Sequence, residues 1–135
     1  MNKYNKGKIY KIVDNSNNNV YYGSTTEKYI DYRLSGHKTD YKLYLLGRRD
    51  YRTSYKIIKN NNYHIELVED VNCNNKFQLH ERERYYIENF NCVNKNIPNR
   101  TCKQYYIDNK EKYKNRRNLY KTIRDLYNIN LSIFV

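Results

Sequence analysis

From Lys8 to Val13 the chain carries Ile9, Tyr10, Ile12 and Val13, an alternating, β-branched and aromatic pattern that predicts a strand. The polar run Asp14-Asn15-Ser16-Asn17-Asn18-Asn19 follows as a turn, because asparagine tolerates left-handed backbone and bonds its own main chain. Val20-Tyr21-Tyr22-Gly23 then reads as the returning strand of a hairpin, with Gly23 where the backbone must bend or admit a close neighbour. Ser24, Thr25 and Thr26 offer caps for a following helix, Glu27 suits its first turn, and Tyr29, Ile30, Leu34 and His37 recur at helical spacing to about Asp40. Beyond a loop at 47–50, residues 52–60 form a second helical pattern with Tyr55 and Ile58 inward. A third strand is expected over 63–68, with His64, Ile65 and Leu67, stopped by Glu69 and Asp70.

The next helical pattern, 76–90, contains a misfit. Leu79, Tyr86, Ile87 and Phe90 form one apolar stripe, and at 100° per residue Glu83 falls on it between Leu79 and Ile87. A carboxylate is almost never buried without a partner, so Glu83 should face a cation or a cleft. Glu81 and Glu88 lie off the stripe and read as solvated. The segment 91–99 holds the chain's single proline, Pro98, and closes the globular pattern.

From residue 100 the pattern changes. Arg100, Lys103, Lys110, Lys112, Lys114, Arg116, Arg117, Lys121 and Arg124 interleave with Tyr105, Tyr106, Tyr113, Tyr120 and Tyr127, and Leu119, Ile123 and Leu126 add a weaker helical stripe. The sequence thus predicts an α+β domain over 1–99, a small antiparallel sheet of three strands flanked by helices, and a basic helical extension over 100–135.

Composition strengthens this picture. The chain of 135 residues has room for one domain and an appendage, and its 18 tyrosines, against 3 phenylalanines, place many ring hydroxyls at the rim of the core. A net charge of +12 calls for a polyanionic partner, and nucleic acid fits best. In the extension, Lys103, Lys110, Lys112, Lys114, Arg116 and Arg117 are candidates to contact phosphates while tyrosine rings stack on exposed bases, a sequence-tolerant grip. No long apolar run or lipidation motif supports a membrane partner, and the opening MNKYNKGKIY is no secretory signal, so an intracellular protein is expected. Cys73, Cys92 and Cys102 form no CxxC pair and read as free thiols.

Lys8-Ile9-Tyr10, Tyr21-Tyr22-Gly23, Arg33 and His37 four residues apart, Glu83 within ERERYYI, and Asn94 in CVN together resemble, in order and spacing, the GIY-YIG nuclease family. The resemblance covers residues 7 to 94. It departs from the signature at Lys8, which replaces the first glycine although Gly7 is adjacent, and at Tyr22, which replaces an aliphatic residue. Neither position supplies a reacting group in the family. The resemblance implies a DNA endonuclease, of stand-alone or homing type, as in large DNA viruses and mobile elements, or of repair and junction-resolving type. It implies that Tyr10 positions or deprotonates the attacking water, and it includes Gly23 and Asn94 as supporting residues.

The chemistry of the same side chains agrees. Cleaving a phosphodiester needs an activated water and neutralisation of charge on the phosphoryl oxygens. Glu83 suits one hydrated Mg²⁺ or Mn²⁺, since such hard ions keep several waters and take one or two carboxylates. Arg33 can fork two donors onto a phosphate. Tyr21 can contact phosphate or order water, and His37 can bond the phosphate or move a proton near neutrality. A single metal site would require two encounters or a dimer on the substrate to break both strands. Taken one by one, Tyr10 and Tyr21 are ordinary strand tyrosines, and Arg33 and His37 ordinary helix residues; only the joint pattern lifts them. The alternative is a catalytically inactive nucleic-acid-binding module of the same fold.

Overall fold

The computed structural model describes residues 2–133, with side chains through 131. Met1, Phe134 and Val135, at the ends of the two expected domains, lie outside the described residues. The chain divides into two compact units, Met1–Asn99 and Arg100–Val135.

In the first unit β1 (Gly7–Asp14), β2 (Val20–Thr25) and β3 (Tyr63–Val71) form an antiparallel sheet in the order β2-β1-β3. The central strand is buried on both faces, because Ile9 points one way and Tyr10 and Ile12 the other. One face is covered by α1 (Ile30–Leu45) and the single turn α2 (Tyr55–Ile58): Ile30, Leu34, Tyr41, Ile57 and Ile58 pack around Tyr10 and Ile12. The other is covered by α3 (Lys76–Asn89), whose Leu79 and Tyr86 pack around Ile9. The hairpin turn is anchored by Asp14, fully buried, which accepts bonds from Ser16 N at 2.9 Å and Asn60 Nδ2 at 2.6 Å. Asn18 adopts the left-handed backbone expected of the asparagine run, φ 62°.

Several boundaries differ from the sequence expectation, and the second helical pattern, expected over 52–60, contracts to the single turn Tyr55–Ile58. Ser24 and Thr25 do not cap α1, because β2 continues through them, with Thr25 paired to Lys8 and Ser24 to Ile9; the helix starts only at Ile30 behind an extended Tyr29. It then runs to Leu45, past Asp40, and ends on Gly47 at φ 73°, whose N–H bonds Tyr44 O while Arg48 N bonds Leu43 O, the paired closure that a left-handed glycine permits. The third strand continues through Glu69 and Asp70 to Val71. Glu69 is tolerated there because Arg82 Nε donates to it at 2.6 Å and the Tyr86 hydroxyl at 3.1 Å. A bulge opposite Ile9 and Tyr10 gives β3 an extra residue, so Val68 turns inward and Leu67 is exposed.

The second unit is helical, with α4 (Cys102–Asp108), opened by a capping box between Thr101 and Gln104, and α5 (Lys110–Ile133). Cys73, Cys92 and Cys102 are free. Among the described residues no helix is long and apolar enough to cross a membrane.

Candidate functional site

The strand pairing puts Tyr10 opposite Gly23 and Ile12 opposite Tyr21, so the first-strand tyrosine lies across a position with no side chain. A Cβ on Gly23 would stand 2.5 Å from Cζ of Tyr10. Gly23 is thus the vacancy that lets the Tyr10 ring cross the sheet face. Gly23→Ala should displace that ring and destabilise the domain by about 1–3 kcal/mol, measurable by urea denaturation, as expected for an added methyl in a packed site.

Helix α1 brings His37 onto this ring. The imidazole is 2% exposed, its Nε2 lies 2.8 Å from the Tyr10 hydroxyl, and its Nδ1 lies 3.1 Å from Oγ of the buried Ser54. Tyr21 packs edge-on against His37, with ring centroids 5.4 Å apart. Burial, and next the charge of Arg33, lower the His37 pKa to about 4, so the ring is neutral at physiological pH. One nitrogen must then donate and the other accept. When the Tyr10 hydroxyl donates to Nε2, Nδ1–H donates to Ser54.

Arg33, one turn before His37, is half-buried, and no carboxylate lies within ion-pair distance of it among the described residues. Its charge reaches every other group of the cluster. It lowers the pKa values of Tyr10, Tyr21 and Glu83 and opposes protonation of His37. Burial outweighs it at both tyrosines, holding Tyr21 up at about 12 and Tyr10 higher still.

Glu83 comes from α3, on the stripe where the sequence placed it. It is half-buried, and its Oε2 accepts the Ser24 hydroxyl. Burial raises its pKa, and its charge raises those of Tyr10 and Tyr21, so the carboxylate belongs to the same electrostatic cluster. No cationic side chain lies within ion-pair distance of it among the described residues, so its desolvated negative charge is answered by the Ser24 hydroxyl and, from farther off, by the charge of Arg33. That donor set fits a divalent cation. Among the described residues no group of three or more His, Cys, Asp or Glu side chains is placed to hold a metal, and a divalent ion at Glu83 would take one carboxylate and otherwise water.

Asn94 stands outside this cluster and serves the strand that carries it. Its Oδ1 accepts from Tyr22 N at 2.9 Å and its Nδ2 donates to Tyr22 O at 2.8 Å, while Val93 N bonds Val20 O. The segment thereby covers the free edge of β2 as a neighbouring strand would. The candidates Lys103, Lys110, Lys112, Lys114, Arg116 and Arg117 are on the helices of the second unit.

Three residues of the site were missed. Ser24 was read as a helix cap, although strand alternation from Tyr22 would have set it on the same face; Tyr22 stacks on Tyr86 of α3. Ser54 gives no local signal of its bond to His37. Arg52, at the start of the expected helical pattern 52–60, gives no local signal either, yet its charge acts on Tyr21 and His37.

No protein-family model matches the chain, and no curated protein matches it. Among solved structures it is similar to a glutamate-to-alanine mutant of the catalytic domain of intron endonuclease I-TevI, with a TM-score of 0.53 and 25% identity, covering 71% of this chain and 97% of that one. This likeness bears out the resemblance read from the sequence and the three-stranded α+β fold.

Proposed function

We propose that this chain, which shares its fold with GIY-YIG nucleases, is an endonuclease that hydrolyses DNA phosphodiester bonds at the cluster of Tyr10, Tyr21, Arg33, His37 and Glu83. The observation that carries the proposal is the juxtaposition, in one cluster, of a hydroxyl bonded at 2.8 Å to a neutral imidazole, an arginine without a carboxylate partner, and a desolvated carboxylate. An arginine so placed grips a phosphate through two donors and offsets charge that builds on it in the transition state. The Tyr10 hydroxyl orients the attacking water and passes a proton toward Nε2 of His37. Tyr21 holds the phosphate or the same water through its hydroxyl. Glu83 would hold one Mg²⁺ or Mn²⁺, which supplies Lewis-acid polarisation of a phosphoryl oxygen. The cations of the second unit hold the DNA backbone.

With one carboxylate at the site, each encounter cuts one strand, and a double-strand break takes a second encounter or a second copy. Incubated with supercoiled plasmid and Mg²⁺, the chain should yield nicked circles before linear DNA, and chelation should stop it. Arg33→Ala should slow nicking by about 10²–10³-fold, the effect of removing one transition-state donor. If Arg33→Ala cuts as fast as the unmodified chain, the site is misassigned. Salt-sensitive DNA binding with no cutting under any divalent ion would make the chain a silent nucleic-acid-binding module.

A further inference from the structure

The helical unit holds a second group of rings and cations, for which the sequence suggests phosphate contact and ring stacking without fixing the residues or the form of the strand. A groove of about 390 Å³ is lined by Tyr106, Tyr113, Arg116, Arg117 and Tyr120. The rings of Tyr106 and Tyr113 are stacked, with planes 20° apart and centroids 5.7 Å apart. Arg116 lies over Tyr120 at 5.6 Å and bonds its hydroxyl at 3.3 Å. The three tyrosines recur every seventh residue, two helical turns, with only Asn109 between α4 and α5. Within α5 a heptad drifts by only about 20°, so Tyr113 and Tyr120 return to nearly one face. Tyr106 and Tyr120 are 50% and 58% exposed, so these rings are not part of a core.

Flat rings at regular intervals, with guanidinium groups lying over and beside them, suit a flat aromatic ligand that carries negative charge. The charge balance narrows the choice. The unit Arg100–Val135 has nine Lys and Arg against Asp108, Glu111 and Asp125, a balance of +6, so a second copy on this face would bring like charge to like. Intact duplex offers the phosphates but hides the faces of its bases within its own stack. A strand with unpaired bases offers both.

We propose that this groove binds unpaired bases of a DNA strand by stacking on Tyr113 and Tyr120, with Arg116 and Arg117 on the adjoining phosphates, and that the preferred substrate carries a single-stranded segment, as at a branch, gap or bubble. The identity of the strand as DNA rests on the proposed function; the stacking does not rest on cleavage.

The test is fluorescence anisotropy on the full chain in chelator, with a labelled oligothymidine, an abasic strand of the same length and the matching duplex. The abasic strand keeps every phosphate and removes every base. The oligothymidine should bind roughly tenfold more tightly than the abasic strand, the scale of one stacked base. Tyr113→Ala combined with Tyr120→Ala should erase that preference and leave the salt dependence of abasic-strand binding intact, whereas Tyr113→Phe with Tyr120→Phe should preserve it. Equal binding of the two strands by the unmodified chain would overturn the proposal, as would an alanine pair that keeps the preference. So would an alanine pair that turns a dimer into a monomer in sedimentation without altering base preference, since the face would then serve self-association. A chain that nicks plasmid but ignores bases refutes only this inference, and one that prefers bases but never nicks refutes only the proposed function.

Discussion

Glu83→Gln is expected to reduce plasmid nicking by about 10³-fold or more while raising the melting temperature of the metal-free protein. The activity loss follows from removing the only carboxylate of the cluster, and with it an interaction whose weight lies in the transition state. The stability gain follows from linkage. Burial raises the Glu83 pKa above its unfolded value, so the native state binds the proton more tightly than the unfolded chain does. That contribution is fully present below the unfolded pKa and is lost as pH rises through the folded one, so at neutral pH the metal-free fold carries a charge it would rather not bury. Glutamine removes the charge, and its amide oxygen can still accept the Ser24 hydroxyl that now bonds Oε2. Differential scanning calorimetry checks the sign, and adding Mg²⁺ checks the cause: the ion should raise the melting temperature of the unmodified protein and leave that of the variant unchanged. A variant that melts lower and still cuts would make Glu83 a structural acid and move the metal elsewhere.

That Glu83 could be found from sequence, and its partner could not, shows what a chain discloses locally. An acid on an apolar stripe is visible from helical periodicity alone, since its angular position depends only on counting residues along one helix. Tyr10, Tyr21 and His37 carry no such anomaly, and emerged only from their joint order and spacing. Ser24 looked like a cap because Ser-Thr-Thr before a helical pattern is a cap signature. Only the pairing of Thr25 with Lys8, across the hairpin, extends the strand over it. The inward turn of Val68 is further still from local reading, because it depends on a one-residue slip between β3 and β1 that no residue type marks. Ser54 reaches His37 across 17 positions through the packing of α2 against the sheet. What remained hidden in each case was a register or a packing between segments.

The second large effect is expected at the tyrosine–imidazole pair, and its signature is in pH. Tyr10→Phe should slow nicking by about 10²–10⁴-fold, the usual range for a group that handles a proton in the transition state. Burial keeps Tyr10 protonated, so its hydroxyl can receive the proton of water only as it gives up its own, and the acceptor beside it is Nε2 of a neutral His37. Two groups shape the acid limb. Burial raises the Glu83 pKa above the ordinary carboxylate value and lowers that of His37 to about 4, so nicking should show no break from His37 near 6.5 and should fall on the acid side as Glu83 and then His37 take up protons. Stability obeys His37 with a worked sign. Because the folded pKa lies below the unfolded one, the His37 contribution is complete above about pH 6.5 and is lost as pH falls from there toward 4, by on the order of 1 kcal/mol per pH unit. Urea denaturation at neutral and mildly acidic pH should show that loss in the unmodified chain and a smaller one in His37→Gln. An activity profile that instead breaks near 6.5 would mean that the working site charges His37, and a charged ring cannot accept the Tyr10 proton.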